Sequence, residues 1–138
     1  MKITFKGFTE HALFALNIFI IFLLIFGKQI SVPLWLQSFG RMHPMLLHFP
    51  IVLLLLAMLL EIFRYNKSYA TLTLYHKFTS GLLLGGIFLA TVTVIMGLLL
   101  SQEDGYSGST LQWHKWTGVS LVFISSFIYW IRAKSWYN

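Results

Sequence analysis

The chain has 138 residues, of which 57% are hydrophobic and only 10% charged, with a formal charge of +6 from ten Lys and Arg against four Asp and Glu. A water-soluble domain of this size cannot bury so much apolar surface, so a soluble enzyme and a disordered chain are both excluded, leaving one compact integral membrane domain in a lipid bilayer. There is no cysteine, which excludes disulfides, thiolate metal sites, thiol nucleophiles and haem attached through Cys-x-x-Cys-His. The basic residues flank apolar runs, so the positive charge reads as membrane topology rather than nucleic-acid binding.

A helix needs about 20 apolar residues to cross the hydrocarbon core. Four stretches approach that length: His11 to Phe26, Met42 to Phe63, Tyr75 to Leu100 and Thr110 to Ile131. The first follows Lys2 and Lys6, as a signal peptide would, but no small-x-small cleavage pattern follows it, and it reads as a retained span. Between the first and second, residues 31–40 carry Val32, Leu34, Trp35 and Leu36 and are expected along the interface. In the second, Pro44 suits a first helical turn, whereas Pro50 is expected to bend the helix or free a backbone carbonyl. Residues 64–74 form a polar, basic connection. Residues 101–109 hold Glu103, Asp104, Gly105 and Gly108 and read as a turn-rich acidic loop. Short loops imply an all-α, up-down bundle of four transmembrane helices.

The orientation follows from Lys and Arg. Lys2, Lys6, Arg64, Lys67, Lys77, Arg132 and Lys134 fall on one side, and Lys28, Arg41 and Lys115 on the other. This bias places both termini in the cytoplasm. Trp35, Trp113 and Trp116 then form an outer aromatic belt, and Tyr65, Tyr69, Tyr75, Tyr129, Trp130, Trp136 and Tyr137 an inner one.

The five histidines are the most informative residues, because ionisable groups within a span are costly and mark function. His43 and His48 open the second span and His114 the fourth. With His43 and Ser109 as caps, His48 and His114 stand at equal depth on parallel, diagonal helices, an arrangement that suits a haem iron held from both faces. Gly118, one turn beyond His114, and Gly97 near the outer end of the third span would let a macrocycle approach the backbone. Arg41 and Lys115 at the outer rim suit the propionates. Phe49, Trp113 and Trp116 suit the pocket walls. His43 lies about 140° round the helix from His48, placing it for a propionate, a proton path or a helix cap. His11 and His76 at the opposite end pair in the same diagonal sense, so a second haem is conceivable. Interfacial histidines bonded to water and headgroups, and a small copper or zinc site, are the competing readings. Zinc is poorly served without thiolates and with acids only in a loop.

Gly81, Gly85 and Gly86 make a small-residue face suited to helix packing. Glu61 and Arg64, three residues apart, are expected to pair locally. The residues 104–108 have too few acids for a calcium loop and suit docking of a basic partner. No nucleophile–base pair, phosphate loop or carboxylate pair is present, so an electron-transfer subunit is expected rather than a stand-alone enzyme.

The stretch Gly40-Arg41-Met42-His43-Pro44-Met45-Leu46-Leu47-His48-Phe49-Pro50 resembles the Gly-Arg-hydrophobic-His-Pro-x-x-x-His-Phe-Pro signature of an uncharacterised bacterial membrane-domain family. Gly105-Tyr106, with His114-Lys115-Trp116-Thr117-Gly118, resembles its second signature. The resemblance spans the chain and implies redox company. In many relatives, especially in the Bacteroidetes, this domain is the N-terminal membrane part of c-type cytochrome proteins. Such relatives continue into a fifth helix and a periplasmic haem domain, whereas this sequence stops at Asn138. His43, His48 and His114 match the signatures; His11 and His76 do not. Together these readings give a multi-pass inner-membrane protein with haem b on His48 and His114, working with a larger respiratory complex or a periplasmic c-type cytochrome. The alternatives are a structural accessory subunit of a membrane complex and, less well served by four short spans, a proton or solute carrier using His43 and Glu61.

Overall fold

A computed structural model describes residues 4–64, 69, 71–103 and 105–137, with residues 133–137 described by their backbone alone. Lys2, Tyr65, Lys67, Asp104 and the side chains of Lys134, Trp136 and Tyr137, which enter the charge and belt arguments above, lie outside the described residues.

The described chain is helical, with no strand among its residues. Helix α1 runs Phe5–Phe26 and continues into a 3-10 turn, Gly27–Gln29. Its first turn is capped by Thr4, whose side-chain oxygen accepts from the Gly7 N–H at 3.2 Å, so the helix starts six residues before the apolar run at His11. Then follow α2 (Leu34–Arg41), α3 (His43–Leu46), α4 (His48–Phe63), α5 (Thr73–Leu100) and α6 (Ser109–Tyr137).

The second apolar stretch is thus not one straight helix. Pro50 has no N–H for the Leu46 carbonyl, and the helix is interrupted at Leu47, between α3 and α4. The two sides of that break meet at 42°. The expected interfacial segment is partly helical: Pro33 leads into α2, which leaves Leu34 and Trp35 exposed and buries Gly40. Gly40 is pressed onto the end of α5, where a Cβ would stand 3.1 Å from the Leu100 nitrogen and 3.2 Å from the Met96 oxygen. In the connection from α5 to α6, Gly105 and Gly108 have φ of 94° and 126°, conformations that side chains other than hydrogen strain.

Helix α5 is the hub, packing against α1, α2, α3, α4 and α6. In an ideal up-down bundle the first and third helices would sit diagonally apart; here α1 lies directly on α5. The reason is visible in α5 itself. Past Ser80 it is apolar but for threonines, and Thr79, Thr91 and Thr93 are buried with hydroxyls donating to the carbonyls of Tyr75, Ile87 and Leu89 one turn back. A helix of that kind belongs inside. One core cluster joins Ile20 and Leu23 of α1, Ala90, Ile95, Leu98 and Leu99 of α5, and Val119 and Val122 of α6. A second joins Leu13, Leu84, Ile87 and Tyr129. Asn17 ties α1 to α6 by donating to the Ser126 hydroxyl at 3.2 Å and to its own Leu13 carbonyl at 2.9 Å.

The outward faces are apolar. Phe14, Ile18 and Phe22 on α1, Val52, Leu55 and Leu59 on α4, and Ile124, Phe127 and Ile128 on α6 are all exposed, far beyond the patch a soluble monomer tolerates. Among the described residues, α1 with its 3-10 turn and α5 are each long and apolar enough to cross a bilayer, and α2–α4 provide a third crossing if the bent pair is one span.

Candidate functional site

The histidine-rich end is built where α2, α3 and α4 cross the end of α5. Pro44 and the α3 turn set His43 against α5 at Gly97. A Cβ on Gly97 would lie 2.9 Å from His43 Cε1 and 3.0 Å from its Nδ1. The missing side chain is what lets the imidazole sit flush on the helix. One turn earlier on the same face is Thr93, whose carbonyl oxygen is 2.7 Å from His43 Nδ1. A carbonyl can only accept, so Nδ1 carries the proton, and in the neutral ring Nε2 is the nitrogen with the lone pair. Backbone anchoring of one ring nitrogen is also how histidines are oriented as metal ligands.

The ring that meets His43 is His114 of α6: their centroids are 6.0 Å apart and their planes cross at 80°. His48, by contrast, is exposed at the first position of α4, and His114 is exposed on its outer side. Equal depth, counted from caps along a straight helix, pairs His48 with His114; the ring that stands beside His114 is that of His43, about 140° round the helix from His48, and the axis bends between the two. Gly97 is covered by the His43 ring, and Gly118 faces Val94, 3.6 Å from where its Cβ would be. Gly97 therefore serves close packing within the chain, whereas Gly118 leaves room for a Cβ in ordinary contact with Val94.

At the rim, Arg41 donates to both carboxylate oxygens of Glu103, from Nη2 at 3.0 Å and from Nε at 3.2 and 3.4 Å. This pair pins the end of α2 to the connection after α5. Lys115 lies over the Trp116 ring at 5.3 Å. Phe49, Trp113 and Trp116 are exposed. Among the described residues no three His, Cys, Asp or Glu side chains gather to hold a metal ion, so what this end offers is an imidazole pair.

The opposite end holds a second polar cluster. Glu61 pairs with Arg64 at 3.3 Å, as its spacing suggests, and also with Arg132 of α6. Tyr75 donates to the Leu60 carbonyl, and Tyr129 to Glu10 at 2.8 Å. His76 is buried there, whereas His11 is exposed on α1.

Thr93 is the residue that sequence reasoning missed. Its contribution is a main-chain oxygen, which side-chain chemistry does not advertise. The signal available was the small pair Thr93 and Gly97 one turn apart, facing the end where His43 had to lie.

An all-helical chain with apolar outer faces and polar clusters at both ends is a membrane protein. Its residues 41–136 match the family described as predicted membrane protein (DUF2231), and the chain belongs to that family. No curated protein and no solved structure matches the chain.

Proposed function

We propose that the chain is a four-span subunit of the bacterial inner membrane, both termini cytoplasmic, that holds haem b at its outer end and passes electrons between a quinone or dehydrogenase and a periplasmic c-type cytochrome. The observation that carries this reading is His43, fixed through Nδ1 on the Thr93 carbonyl with its ring beside that of His114. Two imidazoles on opposite sides of one metal ion stand about 6 Å apart between centroids, given metal–nitrogen bonds of about 2 Å. The donor chemistry therefore fits a haem iron. Gly97 is covered by the His43 ring, and Gly118, one turn beyond His114, keeps room beside Val94 for a close approach. The exposed Trp113, Trp116 and Phe49 would supply the apolar surround of such a group.

Haem iron supplies one-electron redox chemistry when bound, tuned by its axial ligands. The remaining work falls to the chain. Thr93 holds the His43 tautomer, Gly97 allows the ring its seat, and His114 and His48 offer further imidazole nitrogens. Arg41 would meet propionates only by releasing Glu103. The excess of Lys and Arg at the terminal end supports the topology.

The test is a reduced-minus-oxidised spectrum and pyridine haemochrome assay on protein purified from haem-replete cells. Bound haem b, lost in His114→Ala, is expected. Separate His43→Ala and His48→Ala variants identify the second ligand. A colourless preparation, or a spectrum indifferent to all three substitutions, refutes the reading and leaves the accessory-subunit role.

A further inference from the structure

Away from the histidine pair, α1, α5 and α6 enclose a groove of about 850 Å³ at the end where α1 begins. It falls in the range of single-ligand sites, about 300–1,000 Å³. Its floor is Gly81 and Gly85 of α5, where a Cβ would meet nothing within 4 Å. The small-residue face read as a helix-packing surface is thus uncovered within the chain. Phe5 and Phe8 of α1, both exposed, form an apolar wall.

The mouth is charged. Lys6, Lys77 and Arg132 line it, and Arg64 stands behind Arg132 on the shared partner Glu61. The acids at this end are Glu10, 3.7 Å from Lys6 and bonded by Tyr129, and Glu61. Four cations thus face two described carboxylates, and Lys6 and Lys77 remain exposed. Buried His76 and half-buried Ser80 add hydrogen-bonding groups along the wall. An apolar trough open at a cationic mouth matches an amphiphile with an apolar tail and an anionic head. A neutral quinone makes no use of the cations, and a partner helix would set apolar side chains against them.

We propose that this groove is a binding site for one anionic phospholipid, its phosphate at Lys6 and Lys77 and an acyl chain along Gly81 and Gly85. Basic recesses between membrane helices hold acidic headgroups by this chemistry. The site stands independently of haem binding.

The full chain, purified in mild detergent and delipidated, is exposed to equal amounts of phosphatidylglycerol and phosphatidylcholine with matched acyl chains, and adducts are counted by native mass spectrometry. One retained phosphatidylglycerol per chain is expected. Lys6→Ala/Lys77→Ala should weaken retention about tenfold or more, and Gly85→Leu should abolish it by filling the trough. Lys115→Ala, at the other end, should change nothing. Equal retention of the two lipids, or retention unmoved by the double lysine variant, overturns the proposal. So does retention unmoved by Gly85→Leu in a variant that keeps its far-ultraviolet helical signal, or displacement of the lipid by added menaquinone. If Gly85→Leu fails to fold, the lysine variant still decides.

Discussion

Gly97→Ala tests the seating of His43 directly. The new methyl would stand 2.9 Å from Cε1 and 3.0 Å from Nδ1 of the ring, inside contact distance for both. Its neighbour is the end of a side chain, so the ring can retreat. The retreat breaks the 2.7 Å bond to Thr93. In a helix the Thr93 carbonyl also accepts from the N–H of residue 97, so that oxygen keeps a partner. The loss falls on the imidazole, and a lost hydrogen bond of this kind costs about 0.5–1.5 kcal/mol. Ala is the better helix former by about 1 kcal/mol, which offsets part of the cost. Net stability is therefore expected to move little, by about 1 kcal/mol or less. The decisive readout is the ring itself: nitrogen-15 imidazole spectra in detergent micelles should show Nδ1–H for His43 in the parent and a tautomer mixture in the variant.

The control lies on the same helix. Gly81 has nothing within 4 Å of a Cβ, so Gly81→Ala gains the propensity term without the clash, about 0.5–1 kcal/mol in favour of the fold. Identical tautomer spectra for parent and Gly97→Ala, or a parent ring protonated at Nε2, would refute the argument.

Other substitutions probe the remaining contacts. Gly40→Ala drives a methyl onto the backbone of Leu100 and Met96, which cannot swing aside; a loss of about 1–3 kcal/mol should appear in unfolding curves, with faster proteolysis at residues 31–41. Asn17→Leu removes the α1–α6 bond to Ser126. Interhelical bonds in membranes contribute about 0.6 kcal/mol, at most about 1.7, and a double-mutant cycle with Ser126→Ala should return a coupling of that size. Glu61→Gln leaves Arg132, with its side chain 13% exposed, without its carboxylate. A destabilisation of up to about 3 kcal/mol is expected, larger than that of Glu103→Gln at the more exposed Arg41 pair, as read by thermal unfolding of the two variants side by side.

Much of the architecture was legible because hydropathy and helix chemistry are local. The ends of α5 lie within two residues of the sequence reading, since its apolar run is bounded by Leu72 in extended backbone and by the turn at Ser101. The bend at Pro50 follows from one missing donor. Two features were not legible. That α2 is a helix was hidden by its length: eight residues carry too few periods to distinguish a surface helix from an interfacial loop. That α5 is the hub was hidden by the assumption of four equivalent helices, although its buried threonines, self-satisfied at the preceding carbonyls, mark it as the one helix able to do without polar exposure.

The histidines show how a backbone break propagates to chemistry. Counting residues from caps fixes depth only while the helix is continuous, because each residue adds the same rise and the same turn. At Leu47 the backbone keeps helical angles, φ −57° and ψ −32°, but the axis bends, and α4 runs at 42° to the segment before it. His48 leaves with α4, while His43 stays with α3 on the side of the break that Gly97 and Thr93 grip. Pro44 starts the turn that delivers His43, and Pro50 lies past the bend, on α4 with His48, which stands about 140° round from His43 even on a straight helix. An imidazole pair chosen by spacing alone cannot see this, since the seat of His43 is made by a main-chain oxygen of Thr93 and the absent side chain of Gly97.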